Sequence, residues 1–352
     1  MIPPGETIGI LGGGQLGRMI AMAAAQLGYR CHIYAPEADS IAAEVSAGFT
    51  HAAFDDTLAL SRFAEDCAVI TYEFENVPVA PLAALANVPL HPAPDALEAA
   101  QDRLNEKRFV ARLGGKPAPF APVDSAESLS AAIAEIGAPG ILKTRRDGYD
   151  GKGQWRIASA QQAAALDLPA QDLIYEGFVN FFAEFSVILC RGQDGDVRFW
   201  ETPENVHEGG ILARSAVPAD ARIAALIPQA RALATHVAEA LAYVGVLTFE
   251  FFATEDGAVF NEMAPRVHNS GHWTIEGALT SQFENHVRAI CGLPLGDTAL
   301  AAKRVEMCNL IGDTVNDWRA ILSDPANHLH LYGKAAARPG RKMGHVTRLV
   351  LE

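Results

Sequence analysis

Glu250 and Glu262 flank a short turn in Thr248-Phe-Glu-Phe-Phe-Ala-Thr-Glu-Asp-Gly-Ala-Val-Phe-Asn-Glu262. The flanks are rich in aromatic and β-branched residues, and Glu255-Asp256-Gly257 is turn chemistry, so the segment predicts a β-hairpin. A three-residue loop pairs Thr254 with Ala258, Phe252 with Phe260 and Glu250 with Glu262, whereas a two-residue loop offsets the acids. Carboxylates directly opposite on one sheet face repel. A cation between them is expected, and an all-oxygen donor set suits magnesium. The plain alternative is two solvated glutamates on an exposed strand. Against it stands Met263-Ala-Pro-Arg-Val-His-Asn-Ser-Gly-His-Trp273, which sets a cation, two imidazoles and an amide beside the acids.

Two glycine-rich segments suit phosphate. Gly12-Gly-Gly-Gln-Leu-Gly17 follows an apolar run, Thr7–Leu11, and precedes a helical stripe of Leu16, Met19, Ile20, Ala23 and Leu27. This is the GxGxxG pattern, in which backbone N–H groups and a helix N-terminus meet a phosphate. Glu37, about 20 residues past Gly17, also permits a dinucleotide reading. The second segment, Lys143-Thr-Arg-Arg-Asp-Gly-Tyr-Asp-Gly-Lys-Gly-Gln154, sets Gly148, Gly151 and Gly153 between two predicted strands. Such a hairpin can fold over a triphosphate and exclude water. Lys143 lies in an apolar strand, where an ammonium is costly unless it meets an anion. Arg103 and Lys107, four apart on a helix, share one face. No GxxxxGK[ST] is present, so a P-loop is excluded. These features describe a magnesium–ATP site without one.

The elements that must position these residues follow from patterning. Up to about residue 95, strands (Thr7–Leu11, Arg30–Tyr34, Ala68–Glu73) alternate with helices, implying a parallel, doubly wound sheet. A helix covers about 95–113, and the pattern turns mostly β from about 140 to 215. A long helix over 219–242, broken at its first turns by Pro228, precedes the acidic hairpin. A further helix lies near Ser281–Cys291, and the end of the chain is β-rich. The 352 residues, 49% hydrophobic and 20% charged, suit two or three globular domains. A net charge of −14 argues against nucleic acid or an anionic membrane as partner. Five scattered cysteines without CxxC spacing suggest reduced thiols. No basic leader and no run of ~18 apolar residues is present, so a soluble, cytoplasmic protein is expected.

Glu250, Asn261-Glu262, Lys107, Lys143 and the Gly148–Gln154 loop resemble the ATP-grasp superfamily. The Asn261–Trp273 block, with Gly12-Gly-Gly-Gln-Leu-Gly-Arg-Met19 and Arg338-Pro-Gly-Arg-Lys-Met-Gly-His345, is similar to the narrower family of 5-(carboxyamino)imidazole ribonucleotide synthases of purine biosynthesis. The resemblance covers essentially the whole chain.

It implies an α/β and α+β architecture: an N-terminal Rossmann-like (pre-ATP-grasp) domain over 1–96, an ATP-grasp domain over 97–296 with a mobile subdomain at about 120–180, and a small β-rich domain over 297–352. ATP and magnesium, with manganese as a substitute, are the implied cofactors. The resemblance assigns Arg103, Lys107, Lys143, Gly148, Tyr149, Asp150, Gly151, Lys152, Gly153, Gln154 and His207 to the phosphates. It gives Glu176, Gly177, Phe178 and Val179 to adenine, Glu184 to ribose, and Glu250 and Glu262, beside Asn261, to the metal. Gly14, Gln15 and Leu16 would meet the ribonucleotide phosphate, approached also by Lys334 and Arg341. Glu73, Glu75 and Asn76 fall on the aminoimidazole side. Arg266, His268 and Asn269 would hold bicarbonate, with Asp150 and His268 as proton handlers, Trp273 as a packing residue and His272 as either structural or functional. Lys152 departs from the arginine common in relatives, keeping the charge but not the planar fork.

The implied reaction carboxylates aminoimidazole ribonucleotide with bicarbonate through carboxyphosphate, and the implied assembly is a homodimer. Alternatives are another ATP-grasp ligase such as the formate-using glycinamide ribonucleotide transformylase, an NAD-dependent oxidoreductase, and a non-catalytic nucleotide-binding module. The oxidoreductase reading leaves the acid hairpin and the second glycine loop unexplained.

Overall fold

Short apolar runs separated by glycine turns and amphipathic stretches build the N-terminal part of the chain. The computed structural model describes residues 1–85, 88–148 and 152–351. β1 (Thr7–Leu11), α1 (Gln15–Gln26), β2 (Arg30–Ala35), β3 (Gly48–His51), α2 (Thr57–Glu65) and β4 (Val69–Tyr72) form a parallel sheet in the order β3-β2-β1-β4. β3 is absent from the sequence reading because it is an edge strand whose residues alternate between half-buried and exposed. β4 is buried throughout and ends at Tyr72. Glu73, Phe74 and Glu75 therefore leave its carboxyl end, where open parallel sheets bind ligands.

The single helix expected over 95–113 is two, α3 (Pro94–Ala100) and α4 (Arg103–Arg112). Asp102 is the cause. Its Oδ1 accepts from Leu104 N and Asn105 N, an N-cap that starts a new helix with Arg103 as its first residue.

β5 (Phe120–Val123), α5 (Ala126–Ile136), β6 (Gly140–Thr144), β7 (Gln154–Ile157), α6 (Ala160–Ala164) and β8 (Leu173–Gly177) make a separate antiparallel sheet, ordered β5-β8-β6-β7. Its own core holds Leu129, Ile133, Leu142 and Tyr175.

The rest is one large sheet. Its strands are β9 (Ala183–Arg191), β10 (Val197–Phe199), β11 (Glu204–Glu208) and β12 (Ile211–Val217), then, after α7 (Ala221–Ala224) and α8 (Ile227–Ala240), β13 (Gly245–Thr254) and β14 (Gly257–Ala264). Pro228 sits in the first turn of α8, where it needs no N–H partner. α9 (Thr274–Gly277) and α10 (Gln282–Ile290) lead to β15 (Arg304–Ile311), α11 (Trp318–Leu322), β16 (Asn327–Leu331) and β17 (Lys342–Val350). The order is β14-β13-β9-β11-β12-β15-β17-β16, with β10 beside β9. The β-rich C-terminal strands thus join this sheet through the β12–β15 pairing.

Period-two alternation explains why the acids reach the cavity side. Phe249, Phe251 and Ala253 point into a core with Phe185 and Phe260, and Glu250 points the other way. Burying each of those phenylalanines stabilises by about 1.5–3 kcal/mol.

Candidate active site

The hairpin turn holds two residues, Glu255 and Asp256, with Thr254 opposite Gly257, so the three-residue loop is corrected. By itself that turn offsets the acids. A β-bulge cancels the offset: Phe251 faces Phe260, the next pair is Glu250 with Glu262, and Asn261 is the additional residue. Burial and the neighbouring Glu262 push the Glu250 carboxyl up to about 7. Burial also opposes charge on Glu262, but Arg103 outweighs it and holds this carboxyl at about 2. Such opposed carboxylates are short of positive charge, which fits a divalent cation. Among the described residues no set of three or more His, Cys, Asp or Glu side chains converges as a metal site. A pair of carboxylates would suit magnesium, which keeps waters and leans on phosphate oxygens.

Behind the pair, α4 presents Arg103, Glu106 and Lys107 on one face. Arg103 Nη1 donates to Glu262 Oε2 at 2.8 Å, and its Nη2 donates to Gly148 O at 2.9 Å. Lys107 Nζ donates to Asn261 O at 2.9 Å, and Met263 N donates to Glu106 Oε1 at 2.7 Å. Burial, with Glu262 nearby, pushes the Glu106 carboxyl up to about 8 against the pull of Lys107.

Lys143 meets a carboxylate from its own protein. Its Nζ lies 2.9 Å from Glu176 Oε2, and Lys107 Nζ lies 3.3 Å from the same oxygen, all three side chains being buried. The β6–β8 register is the reason: Lys143 pairs with Ile174, which places Glu176 diagonally adjacent on the same face. Lys107 and Lys143, expected at the phosphates, and Glu176, expected at adenine, are thus brought together in one buried cluster. Burial opposes the Glu176 charge, yet Lys107, Lys143 and Arg103 hold its carboxyl at about 2.

The glycine turn also holds an internal anion. Gly14 N and Gly17 N donate to the Glu73 carboxylate at 2.9 and 3.2 Å. A Cβ at Gly12 would lie 2.6 Å from Glu73, and one at Gly14 would lie 2.9 Å from it, so these glycines make room for this side chain. Gly14, expected at the ribonucleotide phosphate, gives its N–H to Glu73 and also lines the main cavity. Gln15 and Leu16 still open onto the main cavity.

That cavity, about 380 Å³, brings together Glu73, Glu75 and Asn76 from the carboxyl end of β4 with Arg103, Gly148, Glu250 and Glu262. Arg266, His268 and Asn269 close it. Arg266 Nε donates to Glu75 Oε2, and its Nη1 donates to Val267 O at 3.0 Å. His268 Nδ1 is 2.9 Å from Ser270 Oγ, and its Nε2 is 3.7 Å from Glu250 Oε1. Burial, then Arg266 and Lys342, keep this imidazole neutral, its pKa well below the usual value. Asn269 is buried with neither amide atom partnered, the state of a group aimed at a ligand. A smaller adjoining cavity of about 200 Å³ is lined by Gly12–Gly14, Glu37, Ser40, Glu73, Lys334 and Arg341. Lys334 Nζ donates to Lys342 O at 2.7 Å, and Arg341 Nη1 to Ala336 O at 3.0 Å.

Other expected residues lie outside both cavity walls. Glu184 and His207 pair with each other at 2.9 Å, which raises the His207 pKa against burial. Gly177 ends β8, and the exposed Phe178 next to Val179 carries the Arg156 guanidinium 4.9 Å over its ring. Gln154 opens β7 opposite Lys143, and Gly153, after Lys152, has a φ of +66° that lets it pack on Thr144. Tyr149, Asp150 and Gly151 lie outside the described residues. His272 and Trp273 are buried, His272 against His345 and Phe283.

Sequence reading missed Glu106, Phe74, Arg145 and Lys342, all of which line the main cavity. The spacing of Arg103, Glu106 and Lys107 at i, i+3 and i+4 was the available signal for Glu106.

A carboxylate pair on a hairpin, lysines from α4 and β6, and an adjoining parallel sheet with a glycine turn define an ATP-grasp enzyme. Residues 108–283 match the ATP-grasp domain, residues 5–101 the ribonucleotide synthetase preATP-grasp domain, and residues 306–350 the phosphoribosylaminoimidazole carboxylase C-terminal domain. The N5-carboxyaminoimidazole ribonucleotide synthase of Brucella melitensis is 51% identical over 354 residues, spanning 99% of this chain and 97% of that protein. The chain belongs to the N5-carboxyaminoimidazole ribonucleotide synthase family. The crystal structure of the Thermus thermophilus synthetase superposes with a TM-score of 0.90 at 48% identity, covering 97% of this chain and 93% of that one. An Aspergillus clavatus synthase in complex with ADP and 5-aminoimidazole ribonucleotide gives 0.90 at 31% identity, covering 98% and 94%.

Proposed function

We propose that this chain uses ATP to carboxylate the exocyclic amine of 5-aminoimidazole ribonucleotide with bicarbonate, releasing ADP and phosphate in purine biosynthesis. The observation that carries the reading is the cavity in which the end of β4, the acid hairpin and Arg266–Asn269 meet, in a chain of this family. A bicarbonate oxygen attacks the γ-phosphorus, the bond to ADP breaks, and carboxyphosphate forms. The amine then bonds to the carbon, phosphate leaves, and the nitrogen loses a proton.

Magnesium held by Glu250 and Glu262 would neutralise phosphate charge, manganese being a substitute. Arg103, Lys107 and Lys143 supply further positive charge, shared with Glu262 and Glu176. The guanidinium of Arg266, fixed by Glu75, and the open amide of Asn269 suit a bicarbonate-sized anion. His268, beside Glu250 at 3.7 Å, is the proton handler of this reading. Asp150 joins it as proton handler on family resemblance, and Lys334 and Arg341, which line the smaller cavity, are assigned to the ribonucleotide phosphate on the same ground. A cytoplasmic location is supported by five free thiols. No helix among the described residues is long and apolar enough to cross a membrane. The homodimer belongs to the proposal on family resemblance.

The test is ¹³C-bicarbonate with ATP and aminoimidazole ribonucleotide, followed by NMR. A carbamate carbon bonded to the amine is expected, and label remaining in bicarbonate while ATP is consumed contradicts the reading.

A further inference from the structure

The acid pair faces across the hairpin only because of the bulge at Asn261, and bulges leave the ladder locally weaker. In a regular ladder behind the same two-residue turn, Glu250 would oppose Asn261, and Glu262 would turn to the other sheet face. β14 is also the edge strand of its sheet, so its outward N–H and C=O groups need partners from elsewhere. Two of those groups flank Glu262 directly. Asn261 O takes Lys107 Nζ at 2.9 Å, and Met263 N gives its hydrogen bond to Glu106 Oε1 at 2.7 Å. Glu106 is 2% exposed, and neither the acid-pair chemistry nor the phosphate contacts require it.

We propose that Glu106 is a positioning residue for the metal, its side-chain oxygen Oε1 accepting from Met263 N so that the bulge presents Glu262 opposite Glu250. The inference rests on the reading of Glu250 and Glu262 as magnesium ligands. The alternative for Glu106 is plain edge capping, which affects stability but not metal affinity.

Reach and acidity separate in two variants. Glu106→Gln keeps an acceptor oxygen at the same distance without the ionisable carboxyl. Glu106→Asp keeps a carboxyl but is one methylene too short to reach Met263 N. The measurement is Mn²⁺ binding in the presence of ADP, read as free Mn²⁺ by electron paramagnetic resonance. Groups that orient metal ligands are worth about 10–100-fold in metal affinity, so Glu106→Asp should weaken Mn²⁺ binding by about that factor. Glu106→Gln should bind Mn²⁺ as the parent chain does. Unchanged binding in Glu106→Asp overturns the proposal, as does a loss in Glu106→Gln as large as in Glu106→Asp. Where Glu106→Asp does not fold, Glu106→Gln alone decides: parental Mn²⁺ binding supports the positioning role, and a tenfold loss overturns it. Glu262→Gln and Glu250→Gln serve as the reference. If neither weakens Mn²⁺ binding, the metal reading itself falls, a failure distinct from that of Glu106.

Discussion

At Glu176 a single carboxylate oxygen answers two buried ammonium groups, Lys143 at 2.9 Å and Lys107 at 3.3 Å. Removing one partner of a buried ion pair leaves uncompensated charge and costs about 3–5 kcal/mol. Glu176→Gln is therefore expected to lower the unfolding free energy at neutral pH by about that much, measured by denaturant titration. The sign of the pH effect follows from the carboxyl being held at about 2 against its ordinary 4.5. The stabilisation is fully present above 4.5 and is lost as pH falls toward 2. The parent chain should lose melting temperature through that window faster than Glu176→Gln, and parallel curves would show that the charge contributes nothing. Polar density made Arg266, His268 and Asn269 readable from sequence. Glu73 was not readable as the anion inside the glycine turn, because its partners Gly14 and Gly17 lie 59 and 56 residues away in the chain.

Elements set the next level of positioning, and Asp102 joins two of them. Its carboxylate caps α4 and also binds Arg145, Nη2 at 2.7 Å and Nε at 3.1 Å, just past β6. α4 carries Arg103 and Lys107, and β6 carries Lys143, so one residue aligns both sources of positive charge. Losing an N-cap costs about 0.5–2 kcal/mol, and Asp102→Ala should destabilise by at least the upper end of that range. Its KM for ATP should rise as well, measured by steady-state kinetics. Lost stability with an unchanged KM would confine Asp102 to capping. The apolar strands and the hairpin itself were legible, since their runs are continuous or strictly alternating. The break between α3 and α4 and the bulge at Asn261 were not. Each turns on a single residue whose partners are tertiary or backbone groups, which periodicity does not record.

Across the whole molecule a net charge of −14 coexists with a cavity where Arg103, Arg145, Arg266 and Lys342 stand among carboxylates. Composition argues against nucleic acid as the main partner but could not locate this cavity, which forms only where the parallel sheet, α4 and the large sheet converge. The two half-reactions should be separable within it. Asp150→Asn is expected to slow carboxylation by about 10²–10⁴ and ATP cleavage by less, raising phosphate released per product formed. Arg266→Ala should slow both, and the opposite pattern would exchange the two roles. The central claim is tested most directly by phosphate release from ATP with the parent chain, supplying and omitting each co-substrate in turn. The account predicts full turnover only when ATP, a divalent metal, bicarbonate and aminoimidazole ribonucleotide are present together. Turnover with formate in place of bicarbonate, and none with bicarbonate, would contradict it.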